Sequence, residues 1–165
     1  MKVKKGATRA LAAGLGVAAL SLACGYGLSA GAGRMPHGAE RVFVRPFENR
    51  STDAEAGALV ATAVRQELAR RGEEGGSGSP ARIEGTVENT IFAPVGQNPP
   101  IYQLTLVVMA HLLVNDKVLA EQRFSHPEFS PSGIDPLESE GRRNLALRRA
   151  ASAIARDIVE RFETP

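Results

Sequence analysis

The stretch IYQLTLVVMAHLLVNDKVLA, residues 101–120, decides the fold. Tyr102, Leu104, Leu106, Val108, Ala110, Leu112 and Val114 fall at every second position, the period of one face of a strand. Gln103, Thr105 and His111 mark the other face, but Val107, Met109 and Leu113 lie among them. A strand this apolar on both sides belongs at the centre of a sheet. Asn115-Asp116 supplies the two residues of a tight hairpin turn, because both types tolerate positive φ. Residues 117–125 then return as an antiparallel strand.

Working outward, residues 81–92 form another strand, with Ile83, Gly85, Val87 and Asn89 on one face and Ile91 continuing it. Residues 93–100 read as a Pro-containing loop, and so do 126–135. RVFVRPF, residues 41–47, alternates Val42 and Val44 with Phe43, a short strand that Pro46 confines to an edge or an end. Residues 48–53 are a turn. Thr52 and Glu55 fit a capping box, and Ala56, Leu59, Val60, Ala63, Val64 and Leu68 recur at helical spacing. Arg70 and Arg71 suit the carboxyl end of that helix, and Gly72 ends it. The run 73–80, EEGGSGSP, is a surface loop. Asp135-Pro136-Leu137-Glu138 starts a second helix, with Asp135 as cap, Pro136 at the first helical position and Glu138 at the third. Leu147, Ala151, Ile154, Ile158 and Phe162 form its apolar stripe. The order β-α-β-β-β-α predicts an α+β two-layer sandwich, with both helices on one face of a four-stranded mixed sheet.

The amino terminus is of another kind. Lys2, Lys4, Lys5 and Arg9 precede an uncharged apolar run over residues 10–23, too short to span a bilayer as a helix. Residues 1–23 therefore read as a secretion signal. The run ends LSLAC, and Cys24 is the only cysteine in 165 residues, which excludes an internal disulfide and any Cys-rich zinc site. The segment resembles a bacterial lipoprotein cleavage site. That implies acyl chains on Cys24 and residues 24–39 as a lipidated tether ahead of a domain over 40–165. Gly25 follows the cysteine, so the Asp that retains many lipoproteins in the inner membrane is absent, and the periplasmic face of the outer membrane is expected. The leader also explains the formal charge of +2: without it, 16 basic residues face 18 acidic ones. With no Trp and 5% aromatic residues, a nucleic-acid partner is not expected.

Catalytic patterns are lacking. The glycines of residues 25–31 mimic a dinucleotide fingerprint without the strand and helix it needs. The Gly-Ser run in 73–80 is no nucleophile elbow. His126-Pro127-Glu128 has no further ligand to make a metal site, and three scattered His give none elsewhere. Activity would need distant residues such as His111 and His126 brought together. No catalytic residue, metal or cofactor is expected. Arg142, Arg143, Arg148, Arg149 and Arg156 collect on the second helix. They read as a solvated face beside Glu138, Glu140 and Asp157, or as a surface for an anionic lipid or a partner.

Six segments together resemble the lipopolysaccharide-assembly lipoproteins of the LptE type. They are CGYGL at 24–28, VFVRPFENRST at 42–52, ELARRG at 67–72, IEGTV at 83–87, YQLTL at 102–106 and VLAE at 118–121. In 42–52 the run Pro-Phe-x-Asn-x-Ser/Thr is the most distinctive part. The resemblance covers nearly all of the chain after the leader. It implies a non-catalytic outer-membrane subunit that plugs the lipopolysaccharide-translocating β-barrel, assists its assembly and meets lipopolysaccharide. It implies no particular lipopolysaccharide-contacting residue, since residues 93–100 hold no Lys or Arg. A free-standing periplasmic lipoprotein that binds an envelope lipid or polysaccharide is the alternative.

Overall fold

In the computed structural model the described residues are 35–36, 39–97 and 100–163. Cys24, the leader and most of the expected tether lie outside them. Of the tether, Met35 and Ala39 are buried in the core.

The central hairpin is built as the alternation demands. Strand β3 (Ala81–Gln97) pairs antiparallel with β4 (Pro100–Val114), which pairs antiparallel with β5 (Lys117–Pro131). Asn115 and Asp116 have φ of 51° and 64°, the two positive values that a type I′ turn requires. Leu104, Leu106, Val108, Ala110 and Leu112 are all buried on one face. Strand β1 (Val42–Val44) lies parallel to the start of β3, with Val42 opposite Ala81. The sheet order is β1-β3-β4-β5. A two-residue strand β2 (Glu48–Asn49), read from the sequence as turn, continues the parallel pairing along β3.

Helices α1 (Ala56–Arg71) and α2 (Pro136–Glu163) pack on each other, and α2 covers β4 and β5. The stripe Leu147, Ala151, Ile154, Ile158 and Phe162 is buried against this face. The α+β sandwich with two helices and a mixed sheet is therefore as the sequence indicates. Gly72, at φ 76°, turns the chain out of α1, and its amide donates to Ala69 O and Leu68 O. Asp135 caps α2 by accepting the Glu138 amide at 2.8 Å, and Glu138 accepts the Ile134 amide at 2.6 Å.

Four local expectations fail, for physical reasons. The strands outrun their apolar alternation: β3 runs through Pro94 to Gln97, and β5 runs through His126 and Pro127 to Pro131. Pro94 sits at a register shift and β5 is an edge, the two places where a strand tolerates proline. A bulge between Val87 and Asn89 reverses the alternation, so Thr90 is buried and Ile91 faces outward. The Thr52 capping box does not form, and α1 begins at Ala56 with no side-chain cap. Its first turn is instead closed by the Ala56 amide donating to Asp53 O at 3.0 Å.

Phe47 locks the layers together. A side chain at Gly85 would place Cβ 2.6 Å from Cε1 of the Phe47 ring and hard against the Met109 carbonyl. A side chain at Gly57 would sit 2.6 Å from the Phe47 carbonyl. Replacing Gly85 with Ala should lower stability by about 1–3 kcal/mol through overpacking, read as a lower urea midpoint with an unchanged slope.

Where α1, β1 and the end of α2 meet, Glu67, Glu73 and Glu163 converge on Arg71, with Arg70 on the solvent side. Glu73 Oε2 and Glu163 Oε1 are buried without a partner among the described residues. Burial first, and then the charge and carboxyl of Glu163, hold Glu73 above the usual carboxylate range, against the opposing pull of Arg71. Two carboxylates are both acceptors, so they join only when one carries a proton. A raised folded-state pKa stabilises at low pH, and that contribution is lost as pH rises through it. Glu73→Gln should therefore raise the urea midpoint at pH 8 and leave it nearly unchanged at pH 4. An equal effect at both pH values would show that no proton is shared.

Candidate partner and ligand surface

The arginines expected to share one surface are divided by the fold. Arg143 turns inward. Its guanidinium pairs with Asp53, lies 3.5 Å from Glu140 and sits 5.5 Å above the Phe92 ring, which stacks on Tyr102. Asp53 is 92% buried and also accepts the Thr90 hydroxyl, which lies 3.3 Å from Thr52 Oγ1. Arg142 donates to Glu138 at 2.5 Å and to Ser132 O at 2.8 Å, holding the loop before α2. The Ile134 amide, and then Arg142, hold the Glu138 carboxyl below its ordinary range. Arg142 and Arg143 thus brace the start of α2.

Arg148, Arg149 and Arg156 share an exposed face of α2 with Ser152. Beside that face, Ala63, Gln66, Ala69 and Arg70 of α1 line an open cleft of about 460 Å³ with Ser152. This face also carries Glu160, with Asp157 beside it, and holds the arginines of the collection that lie away from the start of α2.

A second cleft, about 350 Å³, opens on the outer face of the sheet between Arg45, Pro46, Glu48, Glu84, Gly85, Thr86 and His111. Ion pairs lace this end: Arg45 to Glu84 at 3.2 Å, Arg82 to Glu84 at 3.2 Å and to Asp116, and Arg123 to Glu88 at 2.6 Å. His111 lies 3.3 Å from Glu121, and His126 lies 3.6 Å from Glu128 on the other face. The two histidines are therefore not brought together. Among the described residues no group of three or more His, Cys, Asp or Glu is placed to hold a metal.

The distinctive run at residues 46–52 is accounted for structurally. Asn49 Oδ1 accepts the Ser51 amide at 3.0 Å and the Ser51 hydroxyl at 2.8 Å, while Asn49 Nδ2 donates to Asp53 O at 2.7 Å. It fixes the turn that aims Thr52 and Asp53 at Thr90. A family model described as lipopolysaccharide-assembly, LptE, matches residues 39–162, the whole sandwich. The chain belongs to the LptE family.

Solved structures share the fold. A crystallised Caulobacter crescentus protein described as a lipoprotein superposes with a TM-score of 0.57 at 19% identity, over 72% of this chain and 88% of that one. A minor lipoprotein from Acinetobacter baumannii gives 0.54 at 10%, over 76% and 93%. Rare lipoprotein B from Shewanella oneidensis gives 0.50 at 11%, over 69% and 90%. At these identities the likeness is one of fold. No curated protein sequence matches the chain. The LptE membership makes this a protein of the lipopolysaccharide-assembly family.

The buried brace and the exposed arginines should respond differently. Arg143→Ala leaves Asp53 buried and uncompensated and should cost about 1–3 kcal/mol, discounted for the partial exposure of Arg143. Arg148→Ala and Arg149→Ala should each change stability by less than about 0.5 kcal/mol. Urea unfolding of the three variants distinguishes the roles.

Proposed function

We propose that this protein is a non-catalytic subunit at the periplasmic face of the outer membrane, held there by acyl chains, palmitate among them, on Cys24. Residues 1–23 are its signal peptide, residues 24–39 its tether and residues 40–165 its working domain. It serves as plug and assembly partner of the β-barrel that moves lipopolysaccharide to the cell surface, and it meets lipopolysaccharide in doing so. The carrying observation is the LptE match over residues 39–162, which spans both helices and every strand.

The physics suits that role. Barrel lumens are polar, so a plug needs rigid bulk and a polar, ion-paired surface. The sandwich supplies bulk, and the laced outer face and the α2 margin supply polarity. Arg148 and Arg149, both exposed, are the residues to meet a partner's acidic groups or a lipid's phosphates.

Pull-down of the tagged protein from outer membranes in mild detergent should recover a large β-barrel in stoichiometric amount. Depletion should lower surface lipopolysaccharide. Arg148→Glu with Arg149→Glu should weaken recovery of the barrel or of lipopolysaccharide without lowering the urea midpoint. Cys24→Ser should abolish fatty-acid labelling. Recovery of the protein alone, with other barrel complexes intact, would overturn the plug reading.

A further inference from the structure

Strand β5 ends the sheet order among the described residues, so it presents an open edge. The phase of that edge is fixed near its carboxyl end. The Ser132 amide donates to Pro100 O at 3.0 Å, continuing the register in which Pro131 stands opposite Ile101. Even-numbered residues of β5 therefore bond to β4, and odd-numbered residues turn their N–H and C=O groups to the open edge. Pro127 and Pro131 agree with this phase, since a proline fits a ladder only where no donor is called for. The register runs without a shift from Pro131 back to Ala120, and there Leu119 is an extra residue opposite the step from Leu112 to Leu113. A bulge and a proline are devices that blunt an edge. Between Leu119 and Pro127 the strand stays regular, with the amides of Glu121, Arg123 and Ser125 facing out.

We propose that residues 120–126 pair antiparallel with the same residues of a second copy of this chain, about a two-fold axis through Gln122. The sequence is self-complementary at that register. Outward groups must meet outward groups, so odd residues face odd residues and the axis passes through a residue. An axis at Glu121 sets Glu121 against itself, and one at Arg123 sets Arg123 against itself; like charges directly opposite are unfavourable. An axis at Phe124 runs Glu121 onto Pro127, which has no donor to return. An axis at Gln122 sets each Glu121 against the second copy's Arg123, and each such pair exchanges both of its main-chain bonds. Gln122 then meets itself, and its amide is both donor and acceptor.

Both faces of the edge support this pairing. On the outer face Glu121 lies 3.3 Å from His111, and Arg123 Nε donates to Glu88 at 2.6 Å. The Glu121 and Arg123 side chains are still 59% and 60% exposed, and the guanidinium has further donors to give. Pairing joins the two sets into one row, from Glu88 to Arg123 to the second copy's Glu121 and the second copy's His111. On the helix face Ala120 and Phe124 pack against the core, with Phe124 edge-on to Phe162 at 6.3 Å between ring centroids. The register sets Ala120 opposite the second copy's Phe124, so the apolar layer continues from one copy to the next. Val118 and Leu119, both exposed, come beside the second copy's His126 and Ser125. Gln122 Nε2 donates to Arg123 O at 3.1 Å, a side chain standing where the second copy's Glu121 amide would bond. The product is one continuous sheet with both helical layers on the same side.

The pairing belongs to protein outside a barrel. A plug is one copy enclosed by its barrel, so plugging and self-pairing exclude each other, and the paired form is that of protein not yet engaged. The proposal does not rest on the plug reading.

Gln122 occupies a non-hydrogen-bonded pair across the axis, where Cα atoms approach to about 4.5 Å, within disulfide range. Full-length Gln122→Cys protein, purified in mild detergent and oxidised, should form a disulfide between its two introduced thiols, identified by mass spectrometry of the linked peptide. Val118→Cys should form its own at least about tenfold more slowly, because the pairing holds those two positions about 25 Å apart at roughly 3.3 Å per residue. Added to Gln122→Cys, either Glu121→Arg or Arg123→Glu should suppress the link. A mixture of these two variants should restore it as a heterodimer, since each charge then meets its opposite. Absence of the Gln122→Cys link, or equal rates for Gln122→Cys and Val118→Cys, overturns the proposal. So does a mixture that fails to link although both variants keep the parent's urea midpoint. A link from Gln122→Cys to a barrel strand in membranes, with none to itself in purified protein, gives the edge to that partner instead. Failure to recover a barrel in the pull-down would leave these rates unchanged, so the two readings fail separately.

Discussion

A central strand that is apolar on alternate residues for half its length must be covered, and the covering organises everything else. Leu104, Leu106, Val108, Ala110 and Leu112 bury one face of β4 completely. Helix α2 covers it, and α1 packs on α2 and on β1 and β3; their apolar stripes at 147–162 and 56–68 have the matching spacing. At about 0.8 kcal/mol per buried methylene, this layer contact outweighs any single polar contact in the molecule. The polar groups then adjust position within the frame. Asp53, Thr90 and Arg143 tie the turn before α1, the middle of β3 and the start of α2, which lie far apart in sequence. Such a buried pair adds little net stability, since desolvation offsets its attraction, but it penalises any other arrangement of the three elements.

The sequence made most of this frame legible because its signals are periodic. The β4 alternation, the Asn115-Asp116 turn, the Gly72 stop and the Asp135-Pro136 start each act within a few residues. What was illegible depended on partners remote in the chain. Thr52 and Glu55 have the spacing of a cap, but Thr90 draws the Thr52 hydroxyl away, and nothing local announces Thr90. Pro94, Pro127 and Pro131 signalled loops, because a proline is compatible with a strand only where a bulge or a free edge exists. The extra residue at 88 moved Ile91 from the core face to the outer face, a reversal that no alternation count detects.

The candidate surface was legible in the same uneven way. The arginines from Arg142 to Arg156 on one helix were visible, but the sequence could not divide them. Helical spacing puts Arg142 within reach of Glu138, whereas Arg143 finds Asp53 only because the sheet brings residue 53 beneath α2. The division gives the helix two jobs: its first turns brace the fold, and its middle turns remain available. The family's Pro-Phe-x-Asn-x-Ser/Thr run belongs to the brace. Phe47 fills the space that Gly57 and Gly85 leave, and Asn49 shapes the turn, so the run serves the fold.

The parallel pairing of β1 bears on load. Whatever pulls on the amino-terminal segment pulls along β1, whose neighbour β3 runs in the same direction. The bonds between parallel strands are then strained together in shear instead of parting one at a time. Val42 also donates to Glu73 O and accepts from the Gly75 amide, so the strand is clasped on its second side by the turn after α1. A three-residue strand held on two sides is a small grip placed at the point of traction.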